Sequence, residues 1–438
     1  MKNVLIIQVF FCLAPALCLA NGGGYAYGVR QTGTVTPFEP RGIKSVQIVD
    51  EKLDILLTPG GARVTVRYAM KNVADKKVTV TFGFPVERVT DPDSEPKKKS
   101  KTPPKHFRNY NVKLDGRAVK SAYRTERYGR TGRGKPSIVK LLRGIEGWMV
   151  STISFDPGQR RQLLIRYASA YDQRGFSVSD DDQREASIFR YRFSTGAVWH
   201  GPIAEGRVRV RALGIHLPWV KIKRPVNRFK KRPDAWTWSF SDLEPTLADD
   251  LEIHAQPAVY LYAVYDKEPG RSTYYTWNRK QFYLAHLDYR VKASSELPGQ
   301  TGNRHPAANL KGPRKDPWCE GVEGAGIGQA IEIVPNKKLP LFALLIDPGH
   351  LRSEKLFTLN NRPAALEIVL NDSHRFTARL ADEPLEHLIV VGRYRKQVRK
   401  IKIVIKKVYK GRSWDDTCIA RVTLVSKLSS PPKHYGAR

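Results

Sequence analysis

The chain has 438 residues, of which 41% are hydrophobic and 10% aromatic, so it carries enough apolar material for a buried core, and a wholly disordered chain is excluded. Lys and Arg number 75 against 42 Asp and Glu, a net charge of +33, which favours anionic partners and disfavours basic ones. The length suggests two or three domains.

Met1-Lys2-Asn3 is a short positive start, and Val4 to Leu19 is almost wholly apolar. Cys18-Leu19-Ala20 places small residues where a signal peptidase reads, so residues 1–20 read as a secretory leader cut before Asn21. Leu17 before Cys18 argues against lipidation. No later apolar run is long enough to span a bilayer, Leu339 to Ile346 being strand-sized. The expected address is periplasmic or extracellular, and Cys319 and Cys418 are the two cysteines that remain there.

From Lys44 the sequence reads as antiparallel β-structure. Val64, Val66 and Tyr68 alternate with Arg63, Thr65 and Arg67, and Val78, Val80, Phe82 and Phe84 repeat the pattern before Pro85. Residues 90–108 interrupt it with prolines and Lys97-Lys98-Lys99, a basic loop that buries no face. Strands resume at Tyr110. Gly129-Arg130-Thr131-Gly132-Arg133-Gly134-Lys135 lacks the spacing of a phosphate loop and a preceding buried strand, so a nucleotide site is rejected. Trp148 to Phe155 is another strand, turned by Asp156-Pro157-Gly158. Trp236, Trp238 and Phe240 fall on one strand face, where a core role outweighs ring stacking on a ligand. Residues 21–285 are thus expected to form one or two β-sandwich units, Leu251 to Tyr265 closing them. The Asn72 to Pro85, Phe155 to Gly158 and Thr195 to Trp199 passages loosely resemble secreted bacterial domains of unknown function.

A new unit starts near Val291. Strand signals follow at Ile331 to Ile333, Leu341 to Ile346, Leu366 to Leu370, Phe376 to Leu380, Leu388 to Val391 and Ile401 to Ile405, with turns at Asp347-Pro348-Gly349 and Asn371-Asp372. Ala293-Ser294-Ser295, Trp318-Cys319-Glu320-Gly321, Gly324 to Gly328, Leu351-Arg352-Ser353, Asn360-Asn361-Arg362, and Tyr409 to Gly411 with Asp415-Asp416-Thr417-Cys418-Ile419 come in a fixed order. This series resembles the NADase-type glycan-binding domain, a discoidin-like, galactose-binding-like jelly-roll, over residues 290–426. The resemblance implies an all-β chain in which a non-catalytic glycan-binding module follows the sandwich, with a basic tail at 427–438. It implies no NAD cleavage. It also implies that the first and last strands meet, which would bring Cys319 and Cys418 within reach of a disulfide. A two-cysteine metal site is the alternative, and no His is spaced to complete it.

Three positions depart from the family pattern: Lys311-Gly312 replaces an acidic Asp-Gly, Asp347-Pro348-Gly349-His350 replaces Asn-Gly-Tyr, and Ala420-Arg421 replaces Ser-Glu. They lead to the expectation of a more anionic ligand. Trp318, Glu320, Arg362, Trp414, Asp415 and Asp416 are the candidate ligand residues: tryptophan offers a sugar-stacking face and arginine a two-pronged grip on a carboxylate. Each has a structural alternative, a plug for Trp318 and a turn cap for Asp416.

No HExxH, GxSxG or spaced His pair is present, so no catalytic residue, cofactor or metal is assigned. His200 is the one candidate base. The expected partner is a carbohydrate or an anionic cell-envelope polymer, with nucleic acid less favoured. An envelope hydrolase that uses the module for targeting, or a structural envelope protein, is the alternative.

Overall fold

Alternation of buried and outward residues along Val46–Thr58 makes this strand the centre of the N-terminal half: Val46, Ile48, Leu53, Ile55 and Leu57 point inward, while Lys52 is exposed. The computed structural model describes residues 42–89, 101–125, 144–177, 183–255, 262–265, 271–275, 282–300, 303–392 and 394–430. The expected leader (1–20), the first part of the basic loop (90–100), the Gly129 to Lys135 stretch and the end of the tail (431–438) lie outside the described residues.

Val46–Thr58 pairs antiparallel with Gly61–Asn72, which pairs with Arg160–Ser169, and that strand with Phe107–Leu114. On its other side Val46–Thr58 lies parallel to Ile203–Ala212, which pairs with Trp236–Leu243. The expectation of antiparallel strands is therefore corrected at one pair. The chain returns beside Val46–Thr58 after building part of the opposite layer, and it re-enters in the same direction. That layer consists of a sheet of Val78–Glu87, Ile145–Phe155 and Ser121–Arg124, and a second of Lys221–Arg224, Leu251–Ala255, Gln183–Tyr191 and Asp172–Ser177. One apolar cluster fills the space between the layers, including Leu53, Ile55 and Leu57 on the central strand and Val80, Phe155, Phe189 and Ile253 opposite.

Trp238 is buried in this cluster, 5.2 Å from Phe193, and Trp236 and Phe240 pack at its margin. The aromatic triplet is core material. Inside the same sandwich Glu51 is buried, with no ion-pair partner among the described residues; it accepts a hydrogen bond from the Tyr191 hydroxyl (3.1 Å), which lies 2.9 Å from the Tyr68 hydroxyl. Burial pushes the Glu51 carboxyl up to about 8.

The C-terminal half is a two-sheet jelly-roll. One sheet holds Phe282–His286, Cys418–Leu428, Leu341–Pro348 and His387–Val390; the other holds Tyr289–Ala293, Ala330–Pro335, Ile401–Tyr409, Arg362–Leu370 and His374–Arg379. Leu344, Ile346, Leu366, Ile368, Ile403 and Leu424 meet between them. Tyr262–Tyr265 and Arg271–Tyr275 extend the first sheet beyond Phe282–His286, which pairs with Leu428 to Leu424. These strands precede the boundary expected at 285–290 and yet belong to this sheet. Strand signal marks an extended segment without naming its partner, and here the partner is the last strand of the jelly-roll.

The two halves touch at one end of the larger sheet. Glu383 accepts hydrogen bonds from the Thr58 hydroxyl (2.8 Å), the Gly60 amide (2.9 Å) and Arg63 (3.2 Å). The Leu388 amide donates to the Gly214 carbonyl (2.8 Å), and Trp219 packs on Tyr283 and Phe342.

Candidate ligand-binding end of the jelly-roll

Trp318–Cys319 is a two-residue strand paired with the start of Cys418–Leu428, so that Cys319 stands opposite Cys418. The two sulfurs form a disulfide, with Cα atoms 4.1 Å apart. Among the described residues no group of three or more His, Cys, Asp or Glu could hold a metal ion.

Three loops gather beside this bridge, and the residues that tie them are buried. The Glu320 amide donates to the Thr417 carbonyl (3.2 Å). The Glu320 carboxylate accepts from the Thr417 amide (3.0 Å) and the Val322 amide (3.0 Å). Burial raises the Glu320 carboxyl above its ordinary range; the two amides oppose this, and Asp416 and Asp415 reinforce it. Gly326 closes over this carboxyl with φ +63°, and a Cβ there would meet Glu320 at 2.4 Å, so only glycine fits. The Thr417 hydroxyl donates to the Ala325 carbonyl (2.9 Å).

Asn361 ties the third loop. Its side-chain amide donates to the Asp415 carbonyl (2.5 Å), its side-chain oxygen accepts from the Gly411 amide (2.6 Å), and its own amide donates to the Asp416 carbonyl (3.0 Å). Arg362 beside it is buried. It grips Asp382 through two parallel bonds of 2.6 Å, donates to the Asn360 and Lys410 carbonyls (both 3.2 Å), and lies 5.0 Å over the Phe357 ring.

The candidate ligand residues thus separate into two groups. Trp318 is wholly buried, its indole N–H donating to the Ser295 carbonyl (3.0 Å). Trp318, Glu320 and Arg362 have their polar groups committed to the protein, and present little to a ligand. Trp414 is 45% exposed, Asp415 is exposed and Asp416 half-buried, all on the loop held by Asn361 and Thr417. Ile327 and Val322 are 54% and 37% exposed on the loop tied to it through Glu320. Trp414, Ile327 and Val322 are the apolar tips of this end. Asn361 and Asp382 carry supporting roles that residue type alone did not reveal, although Asn360-Asn361-Arg362 stood within the motif series.

The three departures from the family pattern do not face this end as free charges. Asp347 and Arg421 are cross-strand partners, with Arg421 Nε 3.3 Å from the Asp347 carboxylate, and Arg314 lies 2.5 Å from the same buried group. Arg421 also reaches Glu386 (3.6 Å). Lys311 Nζ donates to the Tyr289 carbonyl (3.1 Å). His350 is buried, and its pKa is pushed down to about 4 by that burial. Arg421 thus meets a carboxylate inside the protein, whereas Lys311 is exposed and meets only a carbonyl. His200 is exposed, its Nδ1 3.0 Å from the Lys44 carbonyl; among the described residues no carboxylate bonds to it.

Residues 282–425 match the family model of the NAD glycohydrolase translocation F5/8 type C domain, and residues 31–131 match a domain of unknown function, DUF4424. No curated protein matches the chain. Among solved structures, the chain is similar to the Streptococcus pyogenes NAD+-glycohydrolase translocation domain (19% identity, 26% of this chain and 93% of that one, TM-score 0.20). It is also similar to the family 32 carbohydrate-binding module of Streptococcus pneumoniae EndoD (11% identity, 31% and 94% covered, TM-score 0.25). A Legionella pneumophila protein shares 15% identity over 49% of this chain and 69% of its own, with a TM-score of 0.34.

Proposed function

We propose that the chain is an exported, non-catalytic binding protein whose C-terminal jelly-roll takes a glycan of the cell envelope at the loop end that presents Trp414. The carrying observation is a large aromatic side chain left 45% exposed on a loop whose backbone is otherwise fixed by buried hydrogen bonds. A rigid support with an exposed ring favours sugar stacking, because the ring loses little freedom on binding. The match of residues 282–425 to the model of an F5/8 type C domain supports the same reading. The leader at residues 1–20 and the disulfide are consistent with a periplasmic or extracellular site of action.

The test is a glycan array of neutral and acidic sugars probed with the full chain and with Trp414→Ala. Binding to at least one glycan class is expected, lost or weakened about tenfold in the variant. Wild-type protein that binds nothing, or a variant that binds as well as wild type, would overturn the assignment.

A further inference from the structure

The outer face of the large N-terminal sheet carries a groove of about 1030 Å³ that crosses five neighbouring strands, from Arg160–Ser169 through Gly61–Asn72, Val46–Thr58 and Ile203–Ala212 to Trp236–Leu243. Its position follows from the backbone. The pairing of Val46–Thr58 with Gly61–Asn72 slips between Ile48 and Asp50, a β-bulge, and Val49 and Asp50 line the groove. Ala69 and Ala204 are small and leave room there, while the Phe240 ring lies over Gly206, where a Cβ would meet it at 2.1 Å.

Its chemistry is mixed in a particular way. Arg160 and Arg207 are exposed at positions three strands apart, about 14 Å at the usual strand spacing. Neither forms an ion pair among the described residues. Lys52 is neutralised by Asp50 at 2.9 Å, and Glu205 adds a second carboxylate beside it. Gln162, Ser239 and Ser241 add neutral donors and acceptors, and the half-buried Phe240 ring lines one edge. Farther along the same face Arg67 and Arg211 share Asp54, so cations predominate around the groove.

We propose that this groove is a second binding site, independent of the jelly-roll loop end, for an extended acidic oligosaccharide. Arg160 and Arg207 each hold one carboxylate or sulfate, as guanidinium groups do with planar or branched oxyanions. Asp50, Glu205, Gln162 and the serines take hydroxyl groups of the sugars between. A nucleic acid strand fits this lining less well: its backbone would bring a phosphate to each nucleotide and press some against Asp50 and Glu205, and the one ring that lines the groove, Phe240, is half-buried and packed against the core.

The experiment titrates the full chain with heparin oligosaccharides and with oligogalacturonate at low and at physiological salt. The test variant is Arg160→Gln with Arg207→Gln. A second variant, Ala69→Glu, sets a carboxylate on the groove floor without removing a contact. Lys402→Gln with Lys406→Gln removes the same charge from exposed positions on the C-terminal half. Expected is salt-sensitive binding of at least one probe by wild type and by the lysine variant, and affinity about tenfold weaker in both groove variants. The site is refuted by no binding to either probe, by groove variants that bind like wild type, or by a lysine variant that loses as much. Tighter binding of oligothymidylate than of both acidic sugars refutes the ligand class.

Discussion

Replacing Asp347 by Asn isolates the internal charge cluster of the jelly-roll. The carboxylate is 1% exposed and lies between Arg314 at 2.5 Å and Arg421 at 3.3 Å, the latter its register partner on the neighbouring strand. Asparagine keeps the volume and removes the negative charge, leaving two guanidinium groups around a neutral amide. Breaking a buried pair in this way costs about 3–5 kcal/mol; because Arg314 and Arg421 are 39% and 27% exposed, the lower end applies, about 3 kcal/mol. For a unit of this size that lowers Tm by about 6–12 °C. Arg421→Gln alone leaves Asp347 with Arg314, and should cost less. The double variant should recover at least about 1 kcal/mol relative to the sum of the two singles, since it removes both halves of one pair. Urea unfolding at neutral pH, followed by tryptophan fluorescence with the m-value checked, measures all four proteins. If the two single effects add within about 0.5 kcal/mol, Asp347 and Arg421 are not a coupled pair, and the account of these departures as mutually compensating is wrong.

Glu51 sets a pH dependence in the other half. In the folded chain it keeps its proton to about pH 8, against 4.5 for an ordinary glutamate, so between these values the folded state binds more protons than the unfolded one. Stability is fully present below the lower value and falls as pH rises through the window, by up to about 5 kcal/mol, and Glu51→Gln should flatten that slope; an unchanged slope would show that the group ionises normally. The Cys319–Cys418 bridge joins residues 99 apart, and the chain-entropy model gives it up to about 4.7 kcal/mol. Cys319→Ser with Cys418→Ser should therefore unfold at clearly lower urea, and an unchanged midpoint would mean that the jelly-roll closes without it.

Strand alternation made most of the architecture legible. Val64 and Val66 on one strand, or Ile401 and Ile403 on another, show the buried face directly, because successive side chains of a strand point to opposite sides. The resemblance carried by the ordered motifs led to the cysteine pairing. What alternation does not encode is partnership: Tyr262–Tyr265 reads as a strand of the first half and hydrogen-bonds in the sheet of the second. Of the candidate ligand residues, Trp414 stands exposed, while Glu320 and Arg362 are buried among partners within the protein. Charged residues in a binding-type motif look alike whether they meet a ligand or, as here, backbone amides of Thr417 and Val322 and the carboxylate of Asp382. The pairing of Asp347 with Arg421 was hidden for the same reason: two departures read singly are two changes of charge, and only their register shows that they cancel.

The contact made by Glu383 bears on how the chain would meet a long polymer. Three donors from one hairpin tip converge on that carboxylate, and a backbone bond from Leu388 to Gly214 lies alongside, so little slack is left for one half to swing against the other. A polymer held at the sheet groove would then find the loop end at a set distance, and the second encounter would be intramolecular, with an effective concentration governed by ligand length. Affinity should climb abruptly once an oligomer is long enough to span the gap, and loosening the clasp by Glu383→Gln should blur that threshold while leaving short oligomers bound as before.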